Sequence, residues 1–139
     1  DIILLAGRYT LLDHSGLSEF LPACVERDVK ITIGGPYNSG ILARDLSQPV
    51  TFDYQQASSD LVDRARQLTE ICVAHGVDLK AAALQFVLAH PAVATAVPGA
   101  QSIDELEQNI AMVQQKIPAG LWSDMRSAGL IPDNAPTPD

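Results

Sequence analysis

Val29-Lys30-Ile31-Thr32-Ile33-Gly34-Gly35-Pro36-Tyr37-Asn38-Ser39-Gly40 is the stretch on which the fold turns. Residues 29–33 alternate as a strand does, then break at once into a glycine-rich turn. Upstream, residues 1–5 read D-I-I-L-L, a short apolar run of the kind found in parallel strands covered on both faces. Between the two, Leu17, Phe20, Leu21, Cys24 and Val25 fall on one helical face over residues 17–28, with Ser18 as N-cap. Downstream, a long polar connection runs to about Ser58. Ser59 or Asp60 then opens a helix with Leu61, Ala65, Leu68, Ile71 and Cys72 on its apolar face, stopped at His75-Gly76. Asp78 caps a further helix over 79–89 that halts before Pro91. Residues 93–97 are a third short strand, and 98–101 its exit loop. Ser102-Ile103-Asp104-Glu105 is a capping box heading a helix to about Lys116. A last helix covers about 119–128. Residues 1–130 are thus expected to form one unit, with 131–139, which hold three prolines, as a loose tail.

Strands separated by helices predict crossover connections and a parallel sheet. Three strands leave two bare edges, each a row of unpaired N–H and C=O groups, so the chain is expected to lack its neighbours. It also opens on Asp1 with no Met, which reads as part of a longer chain. The 139 residues are 47% apolar, enough for the core of a single domain. Seventeen acids against nine bases give a net charge of −8 and no basic block. That argues against a nucleic-acid partner, whose phosphates require clustered Lys and Arg. No run approaches the roughly 18 apolar residues of a membrane span, and no signal segment opens the chain. Cys24 and Cys72 are too few for a disulfide framework or a zinc knuckle, so a reduced, cytoplasmic setting is expected.

Two loops carry the chemistry. In the first, Gly34 and Gly35 permit close approach of the backbone to a ligand, and Asn38, Ser39 and Gly40 offer N–H and hydroxyl donors. It is no P-loop, for no Gly-Lys-Ser/Thr follows, and it lacks the GxGxxG spacing. Spacing alone leaves phosphate binding and an ordinary structural turn both open. The second is the segment 98–109, where a strand ends, turns through glycine and enters a capped helix whose first N–H groups form an anion site. Here too the plain reading, that Ser102 and Glu105 merely cap a helix, stands beside the functional one. Taken together, both loops lie at the carboxyl ends of successive parallel strands. That is where (β/α)₈ barrels place their active sites, with a phosphate site after strands seven and eight.

The remaining titratable residues read as structural. His14, His75 and His90 have no metal-type partner at i+3 or i+4, and no metal site is expected. Cys24 and Cys72 fall on apolar helix faces as core thiols. Leu121, Trp122 and Met125 dock the last helix. Arg8 and Tyr9, just past the first strand, are placed to meet a ligand, or Arg8 to form an ion pair.

At these same residues the sequence resembles the aldo/keto reductases, in their carboxyl-terminal part. The resemblance rests on Arg8-Tyr9-Thr10-Leu11-Leu12-Asp13, on Ile33-Gly34-Gly35-Pro36-Tyr37-Asn38-Ser39-Gly40-Ile41-Leu42, and on Val97-Pro98-Gly99-Ala100 with Asn109 beyond. The closing Ile117-Pro118, Leu121-Trp122 and Gly129-Leu130-Ile131 are similar too. The branch it looks like contains L-fucose and D-threo-aldose 1-dehydrogenases and pyridoxal 4-dehydrogenase. The resemblance implies an α/β fold holding about strands six to eight of a (β/α)₈ TIM barrel, with the amino-terminal half of that barrel as its partner. It implies an NAD(P)-dependent oxidoreductase that moves a hydride between nicotinamide and an aldose, aldehyde or alcohol. Gly34 and Gly35 would open the first cofactor loop, and Pro36, Tyr37, Asn38, Ser39 and Gly40 would lie along the pyrophosphate. Gly99, Ala100, Gln101, Ser102, Glu105, Gln108 and Asn109 would hold the adenosine end.

Two departures from the family pattern stand out. Gly34 occupies the place of an aromatic residue that stacks on the nicotinamide in many members. Gly99 and Glu105 occupy places where many carry Lys or Arg. A carboxylate about 4 Å from a phosphate costs about 1 kcal/mol at water's dielectric and about 4 at an effective value of 20. NAD is therefore expected over NADP, although NADP is possible. The family's catalytic Asp, Tyr, Lys and His lie on earlier strands and match no residue here, so no catalytic residue is assigned. A non-catalytic sensor or interaction module on the same fold is the alternative. The substrate loops would be residues 48–57 and the tail.

Overall fold

The computed structural model describes residues 1–44, 46–47, 49, 51–52 and 55–138. Among these, three strands form a parallel sheet in chain order: β1 (Ile2–Ala6), β2 (Lys30–Gly34) and β5 (Val93–Val97). β2 is central. Its Ile31 and Ile33 are fully buried and sit level with Ile3 and Leu5 of β1, and with Val93 and Ala96 of β5. An irregularity between Ile31 and Thr32 shifts the β5 register. The parallel arrangement and the strand order are as the alternation predicts. Coverage on both faces is not. Ile2, Leu4 and Val97 are 62%, 66% and 56% exposed, so the helices cover one face only.

Among the described residues five α-helices accompany the sheet: α1 (Phe20–Glu26), α2 (Ser59–Ala74), α3 (Leu79–Leu88), α4 (Ile103–Gln114) and α5 (Ala119–Ser127). A 3₁₀ turn, Ser15–Leu17, precedes α1, which starts three residues later than its apolar periodicity suggests and has no side-chain cap. Pro22 explains this. A proline in a helix interior lacks its donor and clashes with the carbonyl four residues back, here Ser18, so Pro22 must lie in the first turn. α2 and α3 start where their caps place them. Ser58 Oγ accepts from the Leu61 N–H, and the Asp78 carboxylate accepts from the Lys80 N–H at 2.8 Å. α2 ends at Ala74 with His75 as C-cap, and Gly76 just beyond has a φ of +66° that suits glycine.

α3 is buried almost all round, through Ala81, Ala82, Ala83, Leu84, Phe86 and Val87, and packs against both β5 and α4. α4 stops at Gln114, two residues early, because Gln85 of α3 donates to the Met112 and Gln115 carbonyls at 2.9 and 2.7 Å. α5 buries Leu121, Trp122 and Met125, as its spacing predicts, and His75 after α2 meets Asp124 of α5 at 2.7 Å.

The polar connection before α2 carries β3 (Thr51–Phe52) and β4 (Gln55–Gln56), which pair as a small antiparallel ribbon. The tail, expected to be loose, is docked. Ile131 and Ala135 are buried, and Arg126 donates to the Ala135 carbonyl at 2.9 Å and the Thr137 hydroxyl at 3.0 Å. The prolines stop helix formation without preventing docking. No single helix among the described residues is long and apolar enough to cross a membrane.

Candidate functional site

β2 ends in a loop of uncommon backbone geometry. Asn38, Ser39 and Gly40 follow one another in left-handed conformation, with φ of +47°, +57° and +93°. Such a run is costly for residues other than glycine, and persists where its surroundings hold it. Here the loop bonds to itself. The Asn38 N–H donates to the Gly35 carbonyl, and the Gly40 and Leu42 N–H groups both donate to the Tyr37 carbonyl. This changes the sequence reading, which offered the Asn38 and Gly40 backbone donors to a ligand. They serve the loop's own fold instead, while Ser39 stays exposed on its surface.

Tyr37 joins this loop to α4. Its hydroxyl donates to Asn109 Oδ1 at 2.8 Å, across 72 residues of chain, and both side chains are buried. Burial, helped by nearby Asp78, pushes the Tyr37 phenol well above its ordinary range, so it remains a neutral donor. On the facing side, Ser102 Oγ accepts from the Glu105 N–H at 3.1 Å, and the Glu105 carboxylate accepts from the Gln101 N–H at 2.6 Å. The capping box therefore forms with its return bond one residue earlier than the standard pattern.

Between the two walls lies an open cleft of about 470 Å³. One wall is Gly35, Pro36, Tyr37, Ser39 and Gly40; the other is Gly99, Ala100, Gln101, Glu105, Gln108 and Asn109. Eleven of the fourteen residues singled out from the sequence thus meet around one space. The other three do not line it. Gly34 and Asn38 face an adjoining depression shared with Gly7, Arg8, Thr51 and Phe52, and Ser102 is occupied as the α4 cap. Gly34 sits level with Ala6, and a Cβ there would lie 3.3 Å from Leu4.

Three cleft residues escape sequence reasoning: Ala43, Arg44 and Lys80. Lys80 belongs to α3, and its Nζ donates to Gln108 Oε1 at 2.9 Å. Nothing local marks it, because only the packing of α3 against α4 brings it to the cleft. Arg44 lies over Gly40, whose Cβ, if present, would be 2.9 Å from Nε. Among the described residues, the charged groups lining the cleft are thus two cations, Arg44 and Lys80, and one acid, Glu105.

The other residues singled out from the sequence lie outside this cleft. Tyr9 is fully buried, with its ring 5.2 Å from Phe86 and 5.3 Å from His90. Arg8 pairs with Asp13 at 3.3 Å. Burial of Asp13 would raise its pKa, but hydrogen bonds from Ser15 and Arg8 outweigh this and hold it below its ordinary value. His14 lies edge-on to Phe86, and His90 accepts from the Ala92 N–H; burial lowers both imidazole pKa values. The Cys72 thiol is pushed up to about 12, chiefly by burial, with Asp78 adding to it. Among the described residues no His, Cys, Asp and Glu group could hold a metal ion. Of the predicted substrate loop, Gln48, Val50, Asp53 and Tyr54 lie outside the described residues, as does Asp139 of the tail.

Comparison with known proteins places this arrangement. The model of the aldo/keto reductase family matches residues 1–129. Pyridoxal 4-dehydrogenase of Microbacterium luteolum is 42% identical over 131 residues, covering 94% of this chain and 38% of that protein. D-threo-aldose 1-dehydrogenase of a Pseudomonas species is 41% identical over 135 residues, covering 95% and 40%. An aldo-keto reductase of Bacillus halodurans, solved in its apo form, superposes with a TM-score of 0.68 at 27% identity, over 91% of this chain and 43% of its own. The chain spans about 40% of the length of its curated relatives. Its parallel sheet and helices are a portion of an α/β barrel, and the chain belongs to the aldo/keto reductase family.

Proposed function

We propose that this chain is the cofactor-binding part of a nicotinamide dinucleotide-dependent oxidoreductase acting on an aldose or another small aldehyde or alcohol, in a cytoplasmic setting. The observation that carries the reading is the cleft itself, which gathers two loops and a helix start separated by some sixty residues of chain. The cleft suits the ligand chemically. A Cβ at Gly35 or Gly99 would meet nothing within 4 Å, so both backbones stand open to a ligand. Among the described residues that line it, two cations against one acid favour an anionic ligand such as a pyrophosphate.

In this reading the loop from Gly35 to Gly40 takes the pyrophosphate, with Arg44 above it. Gly99, Ala100 and Gln101, together with Gln108 and Asn109, take the adenosine. Because Tyr37 donates to Asn109 Oδ1, the amide N–H groups of Asn109 are left for the ligand. The chemistry supplied by the cofactor when bound is hydride transfer at the nicotinamide ring. This chain's residues bind and orient; the proton-handling groups come from the remainder of the barrel. Residues 1–130 form one portion of that barrel, whose remaining strands cover Ile2, Leu4 and Val97 on the open sheet face.

Calorimetric titration of the purified protein with NADH and NADPH tests the cleft. Saturable one-to-one binding is expected, and Gly99→Phe should abolish it without changing the melting temperature, since the new ring points into open space. Binding that survives Gly99→Phe would place the nucleotide elsewhere. The 139-residue chain by itself is expected to form no NADH from NAD and L-fucose, because it lacks general acid–base help of about 10²–10⁴-fold. Turnover by that chain alone would overturn the division of labour.

A further inference from the structure

The outer strand β5 and the helix after it leave a continuous apolar seam. β5 pairs with β2 on one side, and its far edge meets no strand among the described residues. Beyond that edge α4 presents Ile103, Leu106, Ile110 and Val113 on one exposed face. Their spacing of three, four and three residues makes a single stripe. Between stripe and strand runs a groove of about 250 Å³, whose walls include Leu84, Leu88, Ala96, Leu106, Ile110 and Val113. The rim of the stripe is acidic. α4 carries Asp104, Glu105 and Glu107 and no Lys or Arg. Glu107 lies four residues from Ile103 and three from Ile110, so it flanks the stripe directly.

We propose that this seam is an interaction surface for a strand–helix unit of the barrel portion outside this chain. The strand adds in parallel to the free edge of β5, and the helix lays an apolar stripe flanked by Lys or Arg against α4. Two observations select this occupant. The chain spans 38% and 40% of its curated relatives, so the greater part of such a barrel stands outside the matched residues. A second copy of this chain is disfavoured by charge. Two α4 stripes facing each other would bring Glu107 of one toward Glu107 of the other, with no cation on either helix to offset them. The surface also calls for both elements. A strand alone would satisfy the β5 edge but leave Ile103 and Leu106 in water, and a helix alone would leave that edge unpaired. The inference rests on the chain being a portion of a barrel, and is independent of what the cleft binds.

The test is assembly from two polypeptides. The tagged chain is co-expressed with the portion of Microbacterium luteolum pyridoxal 4-dehydrogenase that it does not match, and the product is sized by light scattering. A one-to-one complex is expected, in which the β5 amides that point away from β2 become protected from hydrogen exchange. Ile110→Glu should weaken the complex by about tenfold to hundredfold, the worth of one buried aliphatic side chain. It should leave the unfolding midpoint of the isolated chain unchanged, because Ile110 is exposed there. Glu107→Lys should weaken the complex by about twofold to fivefold, less as salt rises. Val73→Glu, on the exposed side of α2, should change nothing. No complex with the wild-type chain, or a complex indifferent to Ile110→Glu, would overturn the seam as the surface. A stable homodimer of the chain, broken by Ile110→Glu, would overturn the occupant in favour of a second copy. A complex strengthened by Glu107→Lys would overturn the basic helix. Each of these outcomes leaves nucleotide binding in the cleft to its own test.

Discussion

The bond between Tyr37 and Asn109 is the link by which the loop after β2 and the middle of α4 share one cleft, and Tyr37→Phe removes it with little else. The ring keeps its packing, while the 2.8 Å hydrogen bond is lost and Asn109 Oδ1 is left buried without its donor. An unsatisfied buried acceptor costs about 1–3 kcal/mol, more than the net worth of an ordinary exposed bond. With a urea slope of about 2 kcal/mol/M, a loss of about 2 kcal/mol moves the unfolding midpoint down by about 1 M. The slope should not change, because no new surface is exposed in the folded state. Urea unfolding followed by circular dichroism measures both quantities. A double-mutant cycle with Asn109→Ala separates the bond from general loosening, and a coupling of about 1 kcal/mol is expected between residues that touch. A midpoint unmoved by Tyr37→Phe, or a coupling near zero, would show that the two walls are held together by something else.

Further outcomes follow from the same geometry. His14 and His90 have folded-state pKa values below their ordinary 6.5, so the unfolded chain takes up protons that the folded chain refuses. Stability should therefore be full above pH 6.5 and fall as the pH drops below it, and replacing His90 with Gln should flatten that decline in urea melts between pH 7.5 and 5. Cys72, with its thiol near 12, should resist alkylation by iodoacetamide at pH 8 in the folded protein and react on unfolding. Ser102→Ala should cost about 1 kcal/mol through loss of the α4 cap. Arg126→Met should release the tail, detected as faster proteolysis after Ile131, because the bonds to Ala135 and Thr137 go with the guanidinium.

Where the determinant of structure is local, the sequence is easy to read. Ser58 and Asp78 cap α2 and α3 and Ser102 caps α4, each by a bond spanning two or three residues. Gly76 stands just past the end of α2 because the chain there needs a positive φ. The start of α1 is also local, but it depends on Pro22 outranking the apolar pattern. The docked tail, the early end of α4 and the position of Lys80 belong to a different class. Each depends on one side chain reaching a group far along the chain: Arg126 to the tail, Gln85 to the end of α4, Lys80 to Gln108. No periodicity within a single element records such reaches.

The first strand shows how a reading can misstate exposure and still identify the environment. Ile2, Ile3, Leu4 and Leu5 are apolar without alternation, which is the pattern of a strand buried on both faces. In this chain only the side bearing Ile31 and Ile33 is packed by helices. The opposite side, with Ile2, Leu4 and Val97, is the inward face of a barrel sheet, and the interior of such a barrel is a filled core, not a pore. The composition of β1 therefore answers to the whole barrel, while its exposure is that of the portion described. α4 follows the same logic: Ile103, Leu106, Ile110 and Val113 lie along one exposed helical stripe beyond the β5 edge. The cleft is the exception. Its two walls, the Tyr37–Asn109 bond that joins them, and Arg44 and Lys80 all lie within this chain, so its shape does not depend on what covers the open face of the sheet.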